Sequence, residues 1–278
     1  MRSSSIYARV LSLSHHHDTA RPRRYGLFFS AFAATGAIFG LAGWGWSAIG
    51  RAADQPKSLH AVLELALPGR PHSSLRVHRF RLPMHKLHVE VVDLHYERLV
   101  ADALEDGAVV VNGGYWGFGN NQRRVLVGLL NNAGKELSPL RAGLDGGVLV
   151  LDHGKAKITA SRGYAGPSAP DLALQCSPRL LSDRTIVPKL NADRRAARTA
   201  VCVRDAGATL DVYLTDPAQL GPSLYDFASW LLAQGCEHAL NLDGGPSTAA
   251  AYREDGRVVK LGPGRELPYA LRFRYSDP

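Results

Sequence analysis

Three short segments after residue 58 alternate apolar and polar residues. Residues 61–67, 74–82 and 87–94 follow the two-residue period of half-buried strands. Further strands are predicted at residues 124–132, 146–158, 172–181, 198–215 and 267–275. The second and fourth of these contain His-Gly and Ala-Gly turns, which predict hairpins and hence antiparallel neighbours.

Two segments have the sequence pattern of helices. In residues 223–235, Ser223 is a suitable N-cap, an apolar face follows, and Gly235 marks the end. Residues 97–107 predict a shorter helix that also ends at a glycine. We therefore expect an α/β fold of the α+β type, with a mixed, largely antiparallel sheet core and a few flanking helices.

The N-terminal 50 residues have the pattern of an export signal. Arg21, Arg23 and Arg24 precede residues 27–50, which contain no charged side chain. This apolar segment is about long enough to span a bilayer, and it ends in small residues spaced as at a signal-peptidase site. Residues 1–50 are predicted to be a cleaved signal peptide or a retained inner-membrane anchor, which places the protein in the periplasm or outside the cell. Sec and twin-arginine export both remain open.

A single domain is expected after the leader. Residues 51–58 have the composition of a linker, and residues 59–278 contain no low-complexity break. The formal net charge is +8, but arginines 2, 9, 21, 23, 24 and 51 lie in or beside the leader. Because no basic stripe interleaved with aromatic residues follows, nucleic acid is not an expected partner.

The cysteines and histidines exclude several classes of site. Cys176, Cys202 and Cys236 form no CxxC motif, so neither a cysteine-rich zinc module nor a disulfide-dense scaffold is expected. In an oxidising compartment we prefer a Cys176–Cys202 disulfide, since both residues lie in β-like segments, and three reduced thiols are the alternative. No HExxH, GxSxG, P-loop or GxGxxG motif is present, which argues against the common zinc-hydrolase, serine-hydrolase, NTPase and dinucleotide sites.

Two predicted strands run directly into a polar residue and two glycines. They are AVVVNGG at residues 108–114 and HALNLDGG at residues 238–245. The shared pattern predicts that the two loops form opposite walls of one cleft, with Asn112 and Asp243 within side-chain reach. A third such motif, Asp145 followed by two glycines, is predicted to be an ordinary turn.

Five motifs in a fixed order resemble those of the phosphodiester glycosidase family. They are NGGYW, QCSPRL, RTAVCV, NLDGGPST and RELPYALRF, and the resemblance extends from about residue 74 to the end. The chain departs from the usual family pattern at Tyr115-Trp116, Cys176-Ser177 and Pro246. The resemblance implies a hydrolase that cleaves the glycosidic bond of a sugar-1-phosphodiester.

That chemistry needs a carboxylate and a cation, because a phosphate leaving group is already stable as an anion. We assign Asp243 as the nucleophile or general base, Arg198 as the phosphate ligand and Asn112 as a third catalytic residue. Gly244 and Gly245 are expected to adopt positive φ and to bring N–H groups to an anion. The other substrate-binding candidates are Gly113, Gly114, Tyr115, Trp116, Arg179, Asn241, Ser247, Thr248 and Arg265.

The expected activity is that of an exported hydrolase acting on a glycosyl-phosphate bond in an envelope or extracellular glycan. No cofactor is expected to be required, although a single Ca²⁺ bound by an Asp and backbone oxygens stays open. One alternative is a non-catalytic glycan-binding module with the same fold. Another is a different hydrolase of envelope polymers, which would pair Asp243 with Asp93, Asp216 or Glu266.

Overall fold

A computed structural model describes residues 59–67 and 74–275. Within these ranges the chain forms nineteen strands and one α-helix. The strands are β1 His60–Ala66, β2 Ser74–Pro83, β3 Leu87–Asp93, β4 Ala108–Asn112, β5 Trp116–Phe118, β6 Arg124–Leu126, β7 Leu130–Asn132, β8 Lys135–Ser138, β9 Gly147–Asp152, β10 Lys155–Ala160, β11 Leu172–Cys176, β12 Arg179–Ser182, β13 Thr185–Ile186, β14 Thr199–Arg204, β15 Thr209–Thr215, β16 His238–Asn241, β17 Ala250–Glu254, β18 Arg257–Leu261 and β19 Tyr269–Tyr275, and the helix is α1 Leu224–Ala233.

The strands form three larger sheets and a two-stranded hairpin. The first sheet has the order β1-β2-β15-β14-β16-β12-β13, the second β10-β9-β11-β7-β8 and the third β18-β17-β4-β19-β3, while β5 pairs with β6. Every pairing among these strands is antiparallel. The expected antiparallel core is confirmed, but the described fold is more strongly β than the α/β class that we predicted.

Strand β14 shows why one sheet carries apolar residues on both faces. Val201 and Val203 belong to a buried cluster with residues of all three larger sheets. Ala200 and Cys202 point the other way, into a second cluster that includes Phe227 of α1. Because successive side chains of a strand alternate between faces, a strand covered on both sides reads as a continuous apolar run.

The helix predicted at residues 223–235 is confirmed, whereas the one at residues 97–107 is wrong. The Ser223 hydroxyl oxygen accepts a hydrogen bond from the N–H of Asp226 at 3.0 Å, as an N-cap does. In the other segment a single 3-10 turn covers Val100–Ala103, and the chain is extended again at the next residue. The side chains of Val100 and Ala103, three residues apart, are buried by that one turn, so a longer helix is not needed to bury them.

Two of the long predicted strands are each divided into two. Residues 124–132 form β6 and β7, separated near Gly128, whose φ is 96°. Residues 172–181 form β11 and β12, separated at Ser177 and Pro178. The two halves of each segment belong to different sheets, so the interruptions redirect the chain from one sheet to another.

The predicted Cys176–Cys202 disulfide is wrong. Cys202 is bonded to Cys236, with their Cα atoms 5.6 Å apart, and Cys176 is a buried free thiol. Cys202 and Cys236 share the apolar cluster on the α1 side of the first sheet. Cys176 belongs to the second sheet and to the other large cluster, so a similar strand environment did not imply proximity.

The predicted leader and linker, residues 1–58, lie outside the described residues. Among the residues that are described, no helix is both long enough and apolar enough to span a membrane.

Candidate active site

The two polar-Gly-Gly loops meet where β4 of the third sheet and β16 of the first sheet end. The side-chain amide of Asn112 donates a hydrogen bond to the carbonyl oxygen of Asp243 at 2.8 Å. The N–H of Asp243 in turn donates to the carbonyl oxygen of Gly113 at 3.3 Å. The predicted proximity of Asn112 and Asp243, which are 131 residues apart in the chain, is confirmed.

Asn112 is fully buried, and its side chain joins three parts of the chain. Its Oδ1 accepts hydrogen bonds from the Thr199 hydroxyl at 2.8 Å and from the N–H of Ala249 at 3.2 Å. Its Nδ2 donates to the carbonyl oxygens of Gly113 and Asp243. Asn112 thus positions the Asp243 loop and does not face the cavity described below.

The first pair of glycines is explained by close packing. A Cβ atom on Gly113 would lie 2.1 Å from the ring of Tyr269, and one on Gly114 would lie 2.8 Å from the sulfur of Cys176. The N–H of Gly114 donates to the Tyr269 hydroxyl at 2.6 Å. These glycines let β19 and β11 approach the loop, and they are buried.

The second pair of glycines differs from our prediction in two ways. Gly245 has a φ of 59°, but Gly244 has a φ of −135°, so only one of the two adopts the left-handed conformation. Both N–H groups already have acceptors, since Gly244 donates to Asp243 Oδ1 at 2.9 Å and Gly245 donates to the Ala197 carbonyl at 2.7 Å. The loop is built to hold the carboxyl group of Asp243 rather than to present free N–H groups.

A cavity of about 470 Å³ lies over this loop. Of the described residues that line it, Asp243 is the one carboxylic acid. The polar and charged side chains in the lining that matter here belong to Tyr115, Arg194, Arg195, Arg198, Asn241 and Asp243. A single acid among several guanidinium groups is suited to a substrate that carries its own negative charge.

Burial raises the pKa of the Asp243 carboxyl group above its usual value. Hydrogen bonds from the Ser247 hydroxyl and the Gly244 N–H, and the charge of Arg265, act in the opposite direction. The carboxylate is therefore poorly hydrated but held in a fixed orientation. Those two properties suit a general base or nucleophile, because little solvent must be displaced before it reacts.

Arg198 brings a buried cation to the same cavity. Its residue is 8% exposed, and burial lowers the pKa of its guanidinium. The guanidinium donates to the carbonyl oxygens of Pro222 at 3.3 Å and Arg194 at 2.8 Å. Within the described residues no carboxylate forms an ion pair with it, so its charge is available to a ligand.

Arg194 and Arg195 also line the cavity, and our sequence reasoning did not select them. They lie just before β14 in the sequence RRAAR, which ends at Arg198. The available signal was the presence of two arginines shortly before the RTAVCV motif, which itself begins with Arg198. Our interpretation of the sequence considered only Arg198.

Asn241 has an unsatisfied acceptor at the cavity. Its Nδ2 donates to the hydroxyl of Tyr115 at 2.9 Å and to the carbonyl oxygen of Leu242 at 2.7 Å, which fixes the orientation of the amide. Its Oδ1 is buried without a hydrogen-bond partner. The Tyr115 hydroxyl donates to the carbonyl oxygen of Ser177, and burial raises the pKa of this phenol, which stays protonated.

Trp116 lies in β5 and is not among the residues that line the cavity. The guanidinium of Arg265 lies 5.1 Å from its ring and that of Arg124 lies 5.6 Å away. The ring of Tyr96 packs against it edge-on, with centroids 5.5 Å apart. The charge of Arg265 opposes the rise in the pKa of Asp243 that burial causes, so Arg265 links this group of aromatic and cationic side chains to the site.

A model of the family described as phosphodiester glycosidase matches residues 106–274 of the 278 in this chain. The chain belongs to the phosphodiester glycosidase family. The matched range contains both Gly-Gly loops, the three arginines and Asp243. The comparison with curated proteins found no match.

Solved structures share the fold of this phosphodiester glycosidase domain at low sequence identity. The zebrafish N-acetylglucosamine-1-phosphodiester alpha-N-acetylglucosaminidase catalytic domain, auto-inhibited by its pro-peptide, is 17% identical with a TM-score of 0.56, over 78% of this chain and 82% of that chain. A hypothetical protein from Synechocystis is 14% identical with a TM-score of 0.52, over 77% and 62% of the two chains. A Burkholderia pseudomallei protein thought to be exported is 14% identical with a TM-score of 0.53, over 72% and 74%.

Other candidates from the sequence lie at different distances from the cavity of this phosphodiester glycosidase domain. The Ser247 hydroxyl donates a hydrogen bond to the carboxyl group of Asp243. The hydroxyl of Thr248 is buried and has no hydrogen-bond partner among the described residues. Arg179 lines a separate depression next to Asp145. Six of the fourteen selected residues line the cavity, and Arg179 lines a different depression; the six are Tyr115, Arg198, Asn241, Asp243, Gly244 and Gly245.

The proposed second carboxylates do not line the cavity. Asp216 forms an ion pair with Arg76, and Asp93 accepts a hydrogen bond from the N–H of His95. Glu266 is exposed. A pairing of Asp243 with any of these three has no support from the lining residues.

The described residues contain no group of three or more His, Cys, Asp or Glu side chains arranged to hold a metal ion. A Ca²⁺ bound by one Asp and backbone oxygens would not form such a group, so that hypothesis stays a prediction.

Proposed function

We propose that this protein hydrolyses the bond between the anomeric carbon of a sugar and a phosphate group, with Asp243 as the catalytic carboxylate. The observation that carries the proposal is the composition of one cavity. Asp243 is the only acid among its described lining residues, and three arginines share the lining. Family membership supports the same reaction type.

The chemistry follows from the leaving group. When the carbon–oxygen bond at the anomeric carbon breaks, the electron pair stays on a phosphate oxygen, which is stable as an anion and needs no strong acid. Ordinary glycoside hydrolysis usually employs two carboxyl groups, one of them to protonate the leaving oxygen. A cavity with one carboxylate and several guanidinium groups therefore suits a phosphate leaving group better than an alcohol.

Asp243 has two possible roles that agree with its surroundings. As a general base it accepts a proton from water while the water oxygen bonds to the anomeric carbon. As a nucleophile it forms a glycosyl ester that water then cleaves. In both routes the hydrogen bonds from Ser247 and Gly244 hold the carboxylate in position.

Asn241 supplies a contact for the sugar. A buried acceptor without a donor costs roughly 1–3 kcal/mol, and the Oδ1 of Asn241 is such an acceptor. A sugar hydroxyl placed in the cavity would satisfy it. The protonated hydroxyl of Tyr115 fixes the other end of this amide.

We also propose that the protein acts outside the cytoplasm, on an envelope or extracellular glycan. The basic and apolar pattern of residues 1–50 favours export. The Cys202–Cys236 disulfide is consistent with an oxidising compartment. Mass spectrometry of the exported protein would identify its mature N-terminus and so distinguish cleavage of residues 1–50 from their retention as an anchor.

The proposal is tested by measuring free sugar released from methyl phosphodiesters of several sugars by the purified full chain. We expect Asp243→Asn to abolish release. The matched control is Asp145→Asn, because Asp145 also precedes two glycines but is 68% exposed in its side chain and is paired with Arg162. This control should keep its activity.

Either of two results contradicts the proposal. Full activity of Asp243→Asn would show that Asp243 is not the catalytic carboxylate. No release from any phosphodiester, together with saturable binding of the same sugars, would favour the non-catalytic glycan-binding module.

A further inference from the structure

Three arginines of one short segment face the proposed active site. Arg194, Arg195 and Arg198 all line the cavity. The segment is held at its start, where Asn191 Oδ1 accepts the N–H of Arg194 at 2.6 Å. The carbonyl oxygen of Asn191 accepts a backbone N–H from the first turn of α1 at 3.2 Å. The guanidinium groups therefore extend from backbone that is fixed to the neighbouring helix.

Carboxylates neutralise little of this charge. Within the described residues, no ion pair is found for Arg194 or Arg198. Burial, and then the nearby charge of Arg194, lower the pKa of Arg198. Arg195 has Asp226 at 3.7 Å, and its Nη1 is buried without an acceptor. Because the buried guanidinium of Arg198 lies beside those of Arg194, which is exposed, and Arg195, which is half-buried, the cluster points to an anionic ligand.

The positive charge of the cluster exceeds the negative charge of one phosphodiester. Three guanidinium groups line the cavity, and Asp226 forms the one ion pair with them among the described residues. A phosphodiester carries one negative charge on two non-bridging oxygens, whereas a diphosphate joined to two groups carries two negative charges on four such oxygens. Because hydrogen bonds from a guanidinium to an anionic phosphate oxygen are charge-assisted, a second phosphate gives Arg194 and Arg195 additional charge and acceptors.

The N-terminal end of α1 borders the cavity. Leu224, the first residue of this ten-residue helix, is among the lining residues. The dipole of a helix makes this end favourable for anions. The charge of Arg265 also acts on Asp243.

We propose that the substrate is a sugar linked through its anomeric carbon to a diphosphate, and that Arg194 and Arg195 bind the second phosphate. This inference rests on the proposed hydrolysis at Asp243. Arg198 binds the phosphate next to the sugar. The water oxygen bonds to the anomeric carbon, the bond from that carbon to the phosphate oxygen breaks, and the proton from water passes through Asp243 to solvent. The products are the free sugar and a diphosphate monoester.

A nucleoside diphosphate sugar and a lipid-linked diphosphate sugar share this chemistry. The two are separated by comparing a uridine diphosphate sugar with the same sugar on a short polyprenyl diphosphate. A higher kcat/KM for either one, relative to the methyl phosphodiester, supports the diphosphate site and assigns its source.

The decisive experiment compares two substrates of one sugar. The monophosphate diester is the methyl ester of the sugar-1-phosphate, and the diphosphate diester is the methyl ester of the sugar-1-diphosphate. The full chain should prefer the diphosphate by about tenfold to a hundredfold in kcat/KM, as expected for one or two additional charge-assisted hydrogen bonds. Arg194→Gln/Arg195→Gln should lose this preference, because its kcat/KM should fall by about tenfold more on the diphosphate substrate than on the monophosphate substrate. The control is Arg162→Gln/Arg184→Gln, which removes the same charge from exposed surface ion pairs.

Equal kcat/KM values for the two substrates in the unaltered chain would overturn the inference. So would a loss of the same size on both substrates in the Arg194→Gln/Arg195→Gln variant. If neither substrate is cleaved, the proposed hydrolysis is refuted. Titration of methyl phosphate and methyl diphosphate into Asp243→Asn then decides the site, which requires tighter binding of the diphosphate.

Discussion

The Cys202–Cys236 disulfide should supply a large part of the stability of the domain. The two cysteines are 34 residues apart, and the loop between them contains β15 and α1. For a loop of this length, the chain-entropy relation gives about 4 kcal/mol at room temperature. For a domain of this size, a loss of that amount lowers the melting temperature by roughly 8–16 °C.

The prediction is checked with Cys202→Ala/Cys236→Ala, using urea and thermal unfolding followed by circular dichroism. A reducing agent should destabilise the unaltered chain by a similar amount and should have no effect on the double variant. Cys176→Ala, which leaves the disulfide intact, is the control that must still respond to reductant. Unchanged stability of the unaltered chain under reduction, or Cys176 in a disulfide-bonded peptide by mass spectrometry, would refute the reasoning.

Two further predictions concern the Gly-Gly loops. Gly113→Ala should destabilise the domain by about 1–3 kcal/mol or prevent folding, because the new methyl group would lie 2.1 Å from the ring of Tyr269. Gly143→Ala, where no atom lies within 4 Å of the new methyl group, should be nearly neutral in the same urea titration. The ionised carboxyl group of Asp243 should destabilise the folded domain at neutral pH. Burial raises the pKa of this group in the folded state, so the folded domain favours the protonated form, and that stabilisation is lost as the pH rises. Asp243→Asn should therefore melt above the unaltered chain at neutral pH, with a gap that shrinks in acid, and a gap independent of pH would contradict this.

Local patterns in the sequence predicted much of the fold. Alternation located β1, β2 and β3, and the cap at Ser223 located α1. The pattern failed at residues 97–107, where helix-forming residues are used for one 3-10 turn because burial of two side chains is enough. It also could not place the breaks that send β7 and β12 into different sheets from β6 and β11, since those depend on tertiary packing.

The candidate site was predicted in part. The repeated polar-Gly-Gly motif correctly placed Asn112 beside Asp243. It did not indicate that the Asn112 amide is fully used by the protein, since the partners Thr199 and Ala249 are 87 and 137 residues away from Asn112 in the chain. Nor did it show that Arg194 and Arg195 turn toward the cavity, because the path of a loop without regular structure is set by contacts such as those of Asn191.

The central claim is that water attacks the anomeric carbon and not the phosphorus atom. Hydrolysis of a methyl sugar-1-phosphodiester in heavy-oxygen water tests it directly, with mass spectrometry of both products. Because Asp243 is proposed to act at the anomeric carbon, the heavy oxygen should appear in the hydroxyl group of the released sugar, and the methyl phosphate should carry none. Heavy oxygen in the phosphate product would show cleavage of the phosphorus–oxygen bond and would contradict the account.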